Sequence, residues 1–505
     1  MAAALALTLA AAVATSSVAD AKSKKKNEAP WAAIDARECP AWFPDAKFGI
    51  FIHWGLYSVP AWSPKGTYSE WYKYWLERDT LFGNGDFTGH EISDYHNRIY
   101  GKDFHYSGFA PMFKAENFDA GEWARLFKAA GAKYAVLTTK HHEGFALWPS
   151  KEASRDYGMP WNSVEAGPHR DLVGEYADSL RAHGVKVGTY FSLREWGDPL
   201  YRRDNMPMYL ATHHYPQLKD LINTYRPDLI WSDGPDGFSE EEWGLRDFFT
   251  WLYNESPVAD SVVVNDRWAT WREKRRGDYF TREYRPHDMP SEKPWEECRG
   301  IGFSFGYNRN EDVQDYASAR GLVHTLVSIV ARGGNLLLGI GPDATGKIPP
   351  IMQERLLQMG KWLETNGEAI YATRPWTHTE QWSEGDRNWR APGKFYVAGD
   401  AILKQTVDPD PGFAVKEVFF TSKPGVVYAI LPGWKAGEFR IRDITPEPGS
   451  AIEVLGATDR SFAGGASPSL TWRQDGGDIV VSLPELLADS GLDYAYTLRI
   501  RVPQQ

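Results

Sequence analysis

Cysteine is almost absent from this chain. Its 505 residues include two, Cys39 and Cys298, which lie far apart in sequence. Neither has the spacing of a metal site, so the sequence offers no cysteine-based metal centre. They are either two buried thiols or one disulfide, and the sequence leaves both possibilities open.

An excess of positive charge is also missing. The chain has 67 acidic and 56 basic residues and a formal net charge of -11 at pH 7. A protein with this balance has no general attraction for a phosphate backbone. We therefore expect no nucleic-acid partner.

The only long apolar run near the start, residues 1–21, is too short and too atypically flanked for a confident membrane span. It ends in small residues ahead of the basic run 22–26. It resembles a signal peptide with a small-residue cleavage site, although a positively charged start is lacking. We predict that residues 1–30 are a signal peptide and charged linker. The mature protein is then exported, periplasmic or extracellular, soluble, and without a membrane partner.

Aromatic residues, by contrast, are plentiful. They make up 14% of the chain, with 22 Trp and 25 Tyr. Flat amphipathic rings suit the faces of sugars, although most of these rings will pack in the core. The chain is also longer than one hydrophobic core normally serves, so we expect two domains.

Short apolar runs alternate with helical patterns over residues 31–372, which indicates βα units and a parallel sheet. Helices are predicted over 119–131, 170–184, 318–332 and 354–366. The candidate strands are 49–54, 134–139, 186–192, 229–233, 262–265, 279–284, 299–305 and 335–340. Eight strands predict an α/β fold with a (β/α)8-like (TIM) barrel as the catalytic domain. Its closure should be irregular, because no long amphipathic segment lies between the fifth and seventh strands.

From residue 373 onward the pattern changes to short alternating runs separated by Gly, Pro and Asp. Examples are 394–398, 426–431, 479–483 and 496–500. They predict an antiparallel β-sandwich domain over residues 373–505. Because its only histidine is His378, catalysis is expected in the barrel.

Barrel enzymes place their chemistry at the carboxyl ends of the strands. The polar and aromatic residues at these predicted ends are His53, His141, His142, Tyr190, Trp231, Asp233, Arg267 and Glu283. Two carboxylates, Asp233 and Glu283, indicate glycoside hydrolysis, in which one attacks the anomeric carbon and the other protonates the leaving oxygen. Arg267 has three open roles: binding a substrate hydroxyl, keeping a carboxylate ionised, or forming an ordinary salt bridge.

The histidines also leave a metal-dependent barrel hydrolase open as an alternative. Strand one, however, supplies His53 alone rather than the His-x-His pair common in such enzymes. The adjacent His141 and His142 need not point in the same direction. Neutral imidazoles are also good partners for sugar hydroxyls, so we favour a site without metal.

Seven segments carry a resemblance to a known family. They are 42–60 (WFPDAKFGIFIHWGLYSVP), 69–72 (SEWY), 138–145 (TTKHHEGF), 170–174 (RDLVG), 231–233 (WSD), 264–268 (VNDRW) and 299–308 (RGIGFSFGYN). In this order and spacing, across most of the barrel, the chain resembles the glycoside hydrolase family 29 α-L-fucosidases.

The resemblance implies a retaining exo-glycosidase that releases terminal α-L-fucose from fucosylated oligosaccharides or glycoconjugates, without metal or organic cofactor. Asp233 matches the nucleophile and Glu283 the acid/base. The positions that match sugar-binding residues are His53, Glu70, Trp71, His141, His142, Tyr190 and Arg267. With Tyr190, the positions Phe51, Trp231 and Phe305 match the walls of a pocket for the C6 methyl group. Apolar walls would leave the 6-hydroxyl of a competing sugar unpaired.

The acid/base is the least settled of these assignments. Arg282 precedes Glu283 where the family more often has a small residue or proline, and a cation there opposes the protonated form that a general acid needs. Glu70 is the competing candidate. A catalytically inactive fucose-binding protein is the alternative from another class, and retention of both Asp233 and Glu283 argues against it. Linkage preference depends on loops 76–106 and 195–212, which the sequence leaves open together with the oligomeric state.

Overall fold

A computed structural model describes residues 31–284, 292–392 and 399–503. The predicted signal peptide and linker, and the predicted strand 394–398, lie outside these ranges. Within the ranges, no helix combines the length and the apolar character that crossing a bilayer requires.

The first part of the described chain is built on eight parallel strands. They are β1 (Phe48–Ile52), β2 (Tyr134–Lys140), β3 (Lys186–Ser192), β4 (Leu229–Asp233), β5 (Val263–Val264), β6 (Phe280–Glu283), β7 (Trp295–Gly300) and β8 (Asn335–Ile340). They pair in the order β5-β4-β3-β2-β1-β8-β7-β6, which is the neighbour order of a (β/α)8 barrel. The predicted barrel is confirmed.

Helices connect these strands. They are α1 (Trp31–Asp35), α2 (Trp42–Ala46), α3 (Tyr72–Arg78), α4 (Glu91–Ile99), α5 (Ala120–Ala129), α6 (Lys151–Tyr157), α7 (Leu172–Ala182), α8 (Met206–Tyr209), α9 (Tyr215–Tyr225), α10 (Leu245–Asn254), α11 (Ala319–Ala331) and α12 (Pro350–Asn366). Helices α5, α7 and α11 begin where predicted, because the side chains of Asp119, Asp171 and Ser318 each accept the backbone N–H three residues on. Helix α12 begins earlier than predicted, with proline in its first turn.

One predicted strand is misplaced. The seventh strand, predicted over 299–305, is Trp295–Gly300. Beyond it, the backbone N–H groups of Phe303 and Ser304 donate to the Glu311 side chain at 3.0 and 2.9 Å rather than to a neighbouring strand. Residues 301–305 therefore form a loop, and this loop carries Phe305.

In the described residues no strand pairing joins β5 to β6, which are the two edges of the sheet, although the Asp278 N–H donates to the Val264 carbonyl at 2.9 Å. Side chains bridge this seam, which we define as residues 264–266 facing 278–281. Asp278 accepts the Val264 N–H at 2.8 Å, and Asp266 accepts the Thr281 N–H and hydroxyl at 2.9 and 2.8 Å. In the described residues between β5 and β7 there is no helix. The irregular closure predicted at this point is confirmed.

The strands after residue 373 are antiparallel. They are β9 (Arg374–Trp382), β10 (Lys416–Lys423), β11 (Val426–Leu431), β12 (Gly437–Ile441), β13 (Ile452–Val454), β14 (Ser469–Leu470), β15 (Trp472–Asp475), β16 (Asp478–Leu483) and β17 (Tyr496–Arg501). One sheet has the order β14-β13-β17-β11-β10-β9, and the other has the order β12-β16-β15. Apolar residues of both sheets share one buried cluster, so the predicted β-sandwich is confirmed. The division at residue 372 stays a prediction.

The barrel and the sandwich also share apolar contacts. Twelve of the 13 residues of α11 are buried, because β9 and β10 pack against it. His324 in this helix bonds to the Thr406 hydroxyl and to the Tyr494 carbonyl, both at 2.9 Å. Phe419 and Ile430 of the sandwich belong to the same buried cluster as the barrel strands. The sandwich therefore completes the barrel's packing.

Candidate active site

A cavity of about 230 Å³ opens at the carboxyl ends of the barrel strands. All the predicted site residues line it: Phe51, His53, Glu70, Trp71, His141, His142, Tyr190, Trp231, Asp233, Arg267, Glu283 and Phe305. The cavity walls also include Tyr68, Phe82, Arg194, Gly234 and Cys298, which were not predicted. We call this space the main cavity.

Asp233 is the last residue of β4, and both its oxygens are held. One oxygen, Oδ1, accepts from Arg267 Nη1 at 3.2 Å, and Oδ2 accepts from the Tyr190 hydroxyl at 3.2 Å. Its side chain keeps 24% of its surface exposed. Asp233 is therefore a positioned carboxylate that a bound molecule can reach.

Glu283 ends β6 and faces the same cavity. Its Oε1 accepts from the Tyr68 hydroxyl at 2.9 Å, and its Oε2 accepts from Nη1 and Nη2 of Arg267, both at 3.1 Å. Successive side chains of a strand point to opposite faces, so Arg282 points away from Glu283. Arg267 contacts Glu283 instead, and so forms the pair with a carboxylate that was one of its three open roles.

Arg267 bridges the two carboxylates. Its Nη1 lies 3.2 Å from Asp233 Oδ1 and 3.1 Å from Glu283 Oε2, so those two oxygens are at most about 6.3 Å apart. Inverting glycosidases hold their carboxyl groups roughly 6.5–9.5 Å apart and retaining ones about 5–5.5 Å. Burial works against the charge of Arg267, but Asp233, Cys298 and Glu283 raise its pKa well above its usual range. This upper bound on one oxygen pair is compatible with the separation that a retaining mechanism needs.

His142 presents a hydrogen-bond acceptor to the cavity. The Ser192 hydroxyl donates to the Arg194 carbonyl at 2.6 Å, so His142 Nδ1, 2.6 Å from that hydroxyl, carries the hydrogen. Its Nε2 then has a free lone pair, 3.7 Å from Asp233 Oδ2. Burial, helped by the charge of His141, holds the pKa of His142 well below its usual range. A sugar hydroxyl is a suitable donor between these two acceptors.

The other two histidines stack on aromatic rings. His53 lies 4.9 Å from the Phe305 ring centroid and His141 lies 5.7 Å from that of Tyr190. Burial, and then the charge of His141, hold the pKa of His53 well below its usual range. A neutral His53 suits hydrogen bonds to hydroxyl groups.

These three histidines do not form the metal-ligand cluster of the alternative hypothesis. In the described ranges, the group of three or more His, Cys, Asp or Glu residues whose ligand atoms all lie within 4.8 Å of one another consists of Asp156, Asp198 and His213. Arg155 pairs with Asp156, and His213 Nδ1 lies 2.8 Å from Asp156 Oδ2. The charges of that cluster are balanced by the protein's own cations, which makes it a buried ion-pair network.

Four aromatic rings form an apolar wall. The Phe51 ring centroid lies 5.0 Å from that of Trp231 and 6.0 Å from that of Phe305, and Tyr190 stacks on Trp231 at 5.7 Å. The indole N–H of Trp231 donates to Glu296 Oε1 at 2.9 Å beneath the cavity. This bond fixes the ring that faces the cavity.

Glu70 is held more deeply than Glu283. It lies in the turn Ser69–Trp71 and is 2% exposed. Its Oε2 accepts from the Ser304 hydroxyl at 3.0 Å and from the Gly306 N–H at 2.9 Å. Burial raises its pKa. Glu70 therefore fixes the loop on either side of Phe305.

Comparison with known proteins identifies the family of this chain. The α-L-fucosidase family model matches residues 14–368. The chain belongs to the α-L-fucosidase family. This is glycoside hydrolase family 29, the family that the sequence segments resemble, and the resemblance is confirmed.

Relatives in this family match along most of the chain. The tissue α-L-fucosidase of Homo sapiens is 39% identical over 498 residues, which cover 96% of this chain and 94% of the human one. The α-L-fucosidase of Dictyostelium discoideum is 43% identical over 355 residues, covering 68% of this chain and 74% of its own. The crystal structure of Thermotoga maritima α-fucosidase with a mechanism-based inhibitor has a TM-score of 0.71 and 32% identity, and covers 94% of this chain and 99% of its own.

The cavity of this family member contains residues that strand-end reasoning missed. Tyr68 directly precedes the matched segment 69–72, and Cys298 directly precedes the segment 299–308, so extending those segments by one residue would have found both. Both Cys39 and Cys298 are free thiols. Cys298 Sγ lies 3.8 Å from Arg267 Nη2, and thus packs against the guanidinium that bridges the carboxylates.

Proposed function

We propose that this chain is a retaining α-L-fucosidase that hydrolyses terminal α-L-fucosyl residues of fucosylated glycans by double displacement. The observation that carries the proposal is the pair Asp233 and Glu283, both bound to Arg267 within one cavity. The main cavity is therefore called the fucose cavity from here on.

In the first step, Asp233 attacks C1 of the α-fucoside and forms a β-fucosyl ester, while protonated Glu283 gives its proton to the departing oxygen. In the second step, the Glu283 carboxylate takes a proton from water. That water attacks C1, breaks the ester bond and releases α-L-fucose, which restores Asp233 as a carboxylate and Glu283 as an acid. The two steps together retain the anomeric configuration.

Glu283 is the better acid/base candidate, for reasons of position. It shares Arg267 with Asp233 and keeps 24% of its side-chain surface exposed. Glu70 is 2% exposed, with one oxygen bound to the 304–306 loop. A leaving group at the mouth can reach Glu283, whereas Glu70 is suited to binding the sugar.

The cavity walls support fucose as the sugar. Phe51, Tyr190, Trp231 and Phe305 give an apolar surface for the C6 methyl group. A 6-hydroxyl placed there would lose its hydrogen bonds to water without gaining new ones. Buried, neutral His53 and His142 then bind the ring hydroxyls.

Azide rescue tests both assignments. Asp233→Gly should lower kcat for p-nitrophenyl α-L-fucoside by roughly 10⁴-fold or more, and azide should restore turnover as the β-fucosyl azide, because azide enters from the face that Asp233 occupied. Glu283→Ala still forms the glycosyl-enzyme with an activated leaving group, so azide should yield the α-fucosyl azide. Product configuration is read by NMR.

Glu70→Ala is the matched control for the acid/base. Formation of the α-fucosyl azide by Glu70→Ala and not by Glu283→Ala would reassign the acid/base, and undiminished activity of Asp233→Gly would overturn the nucleophile. A wild-type chain that binds fucose without hydrolysing the fucoside would favour the inactive binding protein. Activity that disappears with a chelator and returns with metal would favour the metal-dependent hydrolase.

Export is proposed as well, on the sequence pattern of residues 1–30 alone. A small-residue site that follows an apolar run fits signal-peptide cleavage. N-terminal sequencing of the protein from fractionated cells should find a start near residue 22 in the exported fraction. An intact residue 1–30 segment in the cytosol would contradict export.

A further inference from the structure

A second groove adjoins the fucose cavity. It has a volume of about 690 Å³ and is lined by Trp71, Tyr74, Arg78, Phe82, Arg194, Glu195, Trp196, Gly197, Asp198, Pro199, Tyr201, Arg202 and Asp236. We call it the outer groove. It shares Trp71, Phe82 and Arg194 with the fucose cavity. A glycan whose terminal fucose fills the cavity can therefore place its next sugars in the outer groove.

Three rings form an aromatic cluster in the outer groove. The ring centroids of Trp71, Tyr74 and Trp196 lie 5.2–5.4 Å from one another. All three residues are half-buried, so each keeps part of its surface open. The backbone N–H of Trp196 donates to the His142 carbonyl at 2.8 Å, which ties the cluster to the fucose cavity. Such rings pack well against the apolar faces of sugars.

The acids of the outer groove already have partners. Asp236 pairs with Arg194 and accepts from the Tyr201 hydroxyl at 2.6 Å. Glu195 is fully buried and pairs with Lys140, and its Oε1 also lies 2.7 Å from His213. Asp198, the third acid, is 5% exposed, and its Oδ2 lies 3.6 Å from His213 Nδ1. Each of these three carboxylates therefore faces a cation of the protein.

Two cations of the outer groove have no such partner. Arg78 and Arg202 are exposed, and in the described ranges neither forms an ion pair with a carboxylate. Arg78 lies over the Tyr74 ring, with Cζ 4.2 Å from the centroid, which holds its guanidinium at the aromatic cluster. The outer groove therefore presents two guanidinium groups without a carboxylate partner to a bound glycan, although the whole chain is acidic.

We propose that the outer groove binds the aglycone and favours fucosylated glycans that carry an anion, a carboxylate or a sulfate ester, on a sugar near the fucose. The inference rests on the proposed fucosidase function. A guanidinium offers paired N–H donors that match both anions. Arg78 and Arg202 are specificity-determining residues in this arrangement, and they take no part in bond cleavage.

Matched substrates test the proposal. Wild-type kcat/KM is measured for a neutral fucosylated oligosaccharide and for the same oligosaccharide with a carboxylate or a sulfate on the neighbouring sugar. We expect the charged substrates to be preferred by roughly tenfold at low salt, and less at high salt because exposed charges are screened. Arg78→Gln with Arg202→Gln should bring the ratio close to one, while kcat/KM for p-nitrophenyl α-L-fucoside stays unchanged.

Arg460→Gln, at an exposed arginine of the sandwich, is the matched control and should leave the ratio as in the wild type. A preference for only one of the two anions supports the proposal and identifies the anion. An equal ratio in the wild type and the double variant, with normal hydrolysis of the p-nitrophenyl fucoside, overturns it. A wild type that fails to hydrolyse that simple fucoside refutes the fucosidase function itself, which is a separate outcome.

Discussion

At the scale of single residues, Arg267 sets the spacing of the two carboxylates. Its guanidinium reaches Asp233 and Glu283 at 3.1–3.2 Å and also donates from Nε to the Thr281 hydroxyl at 3.0 Å. A planar fork with fixed donors can hold two acceptors at a set separation, which a flexible ammonium group cannot do.

We therefore predict that Arg267→Gln lowers kcat/KM for p-nitrophenyl α-L-fucoside by about 10²-fold or more, because small displacements of reacting groups are costly. Arg267→Lys keeps the positive charge but lacks the paired N–H donors of the guanidinium, so it should recover part of the lost kcat/KM. Steady-state kinetics measure both variants, with thermal melting as a check on folding. A folded Arg267→Gln variant that loses less than about tenfold would contradict the positioning role.

The site residues were largely predictable because strand ends repeat in sequence and converge in space. That rule and the family resemblance were enough to predict Glu283 and Asp233 as site residues. The bond from Arg267 to both of them was not predictable, since neither side-chain direction nor reach follows from periodicity. For the same reason, adjacency in sequence pointed to Arg282, whereas the guanidinium in contact with Glu283 is that of Arg267.

At the scale of elements, a buried ion network holds the segment after β3. Lys140 ends β2, Glu195 follows β3, and His213 lies in the helical turn before α9. Burial alone would lower the pKa of His213, but the charge of Glu195 and hydrogen bonds to Asp156 and Glu195 raise it to about 9. Burial alone would raise the pKa of Glu195, but His213 and Lys140 lower it to about 2.

These shifts predict how stability changes with pH. The pKa of His213 is raised on folding, so its contribution is fully present below about pH 6.5 and is lost as the pH rises through about 9. The contribution is at most about 3 kcal/mol. The neighbouring Asp198, whose pKa burial and the charge of Glu195 raise to about 6, titrates below this window.

The measurement is the melting temperature of the wild type and of His213→Gln between these pH values. The variant should be less stable at pH 6.5 and should lose less of its stability toward pH 9. Parallel curves for the two proteins would show that His213 does not titrate in this window.

Strand positions were predictable from apolar runs wherever both faces of the strand are buried, as in β3, β4 and β8. The prediction of a strand over 299–305 was wrong, because this run is apolar for a reason other than burial within the sheet. Phe305 lines the fucose cavity, Phe303 stacks on Tyr68 and Tyr284, and Glu311 takes the N–H groups that a neighbouring strand would have used. A binding loop and a buried strand can share one composition.

At the scale of the whole molecule, the sandwich contributes to the stability of the barrel. Phe419 lies on β10, is fully buried, and belongs to the buried cluster of the barrel. We predict that Phe419→Ala lowers the free energy of unfolding by about 3–5 kcal/mol. Activity and sandwich structure should be lost together on heating.

Phe439→Ala is the comparison variant, because Phe439 is half-buried on β12 in the other sheet and should cost less. Thermal unfolding followed by near-ultraviolet circular dichroism, with activity assayed in parallel, gives both values. A barrel that stays active above the temperature at which the sandwich of Phe419→Ala unfolds would contradict the shared core.

The succession of a barrel and a sandwich was predictable from the change of pattern near residue 373. The contact between the barrel and the sandwich had a weaker signal, which is the sequence of α11. Residues 322–331 are apolar on almost every side, and a helix of that kind must be covered all round. The sequence therefore indicates that other elements pack around α11, and the structure shows that β9 and β10 are among them.

The seam between β5 and β6 gives Arg267 and Glu283 a second role. Arg267 follows one edge strand and Glu283 ends the other, so their ion pair joins two edges that strand pairing does not join in the described residues. In many enzymes the reactive groups destabilise the fold, and replacing them raises the stability of the protein. Here the ion pair of Arg267 and Glu283 also holds the two edges of the barrel together. Selection for heat resistance and selection for turnover would act on the same two side chains in the same direction.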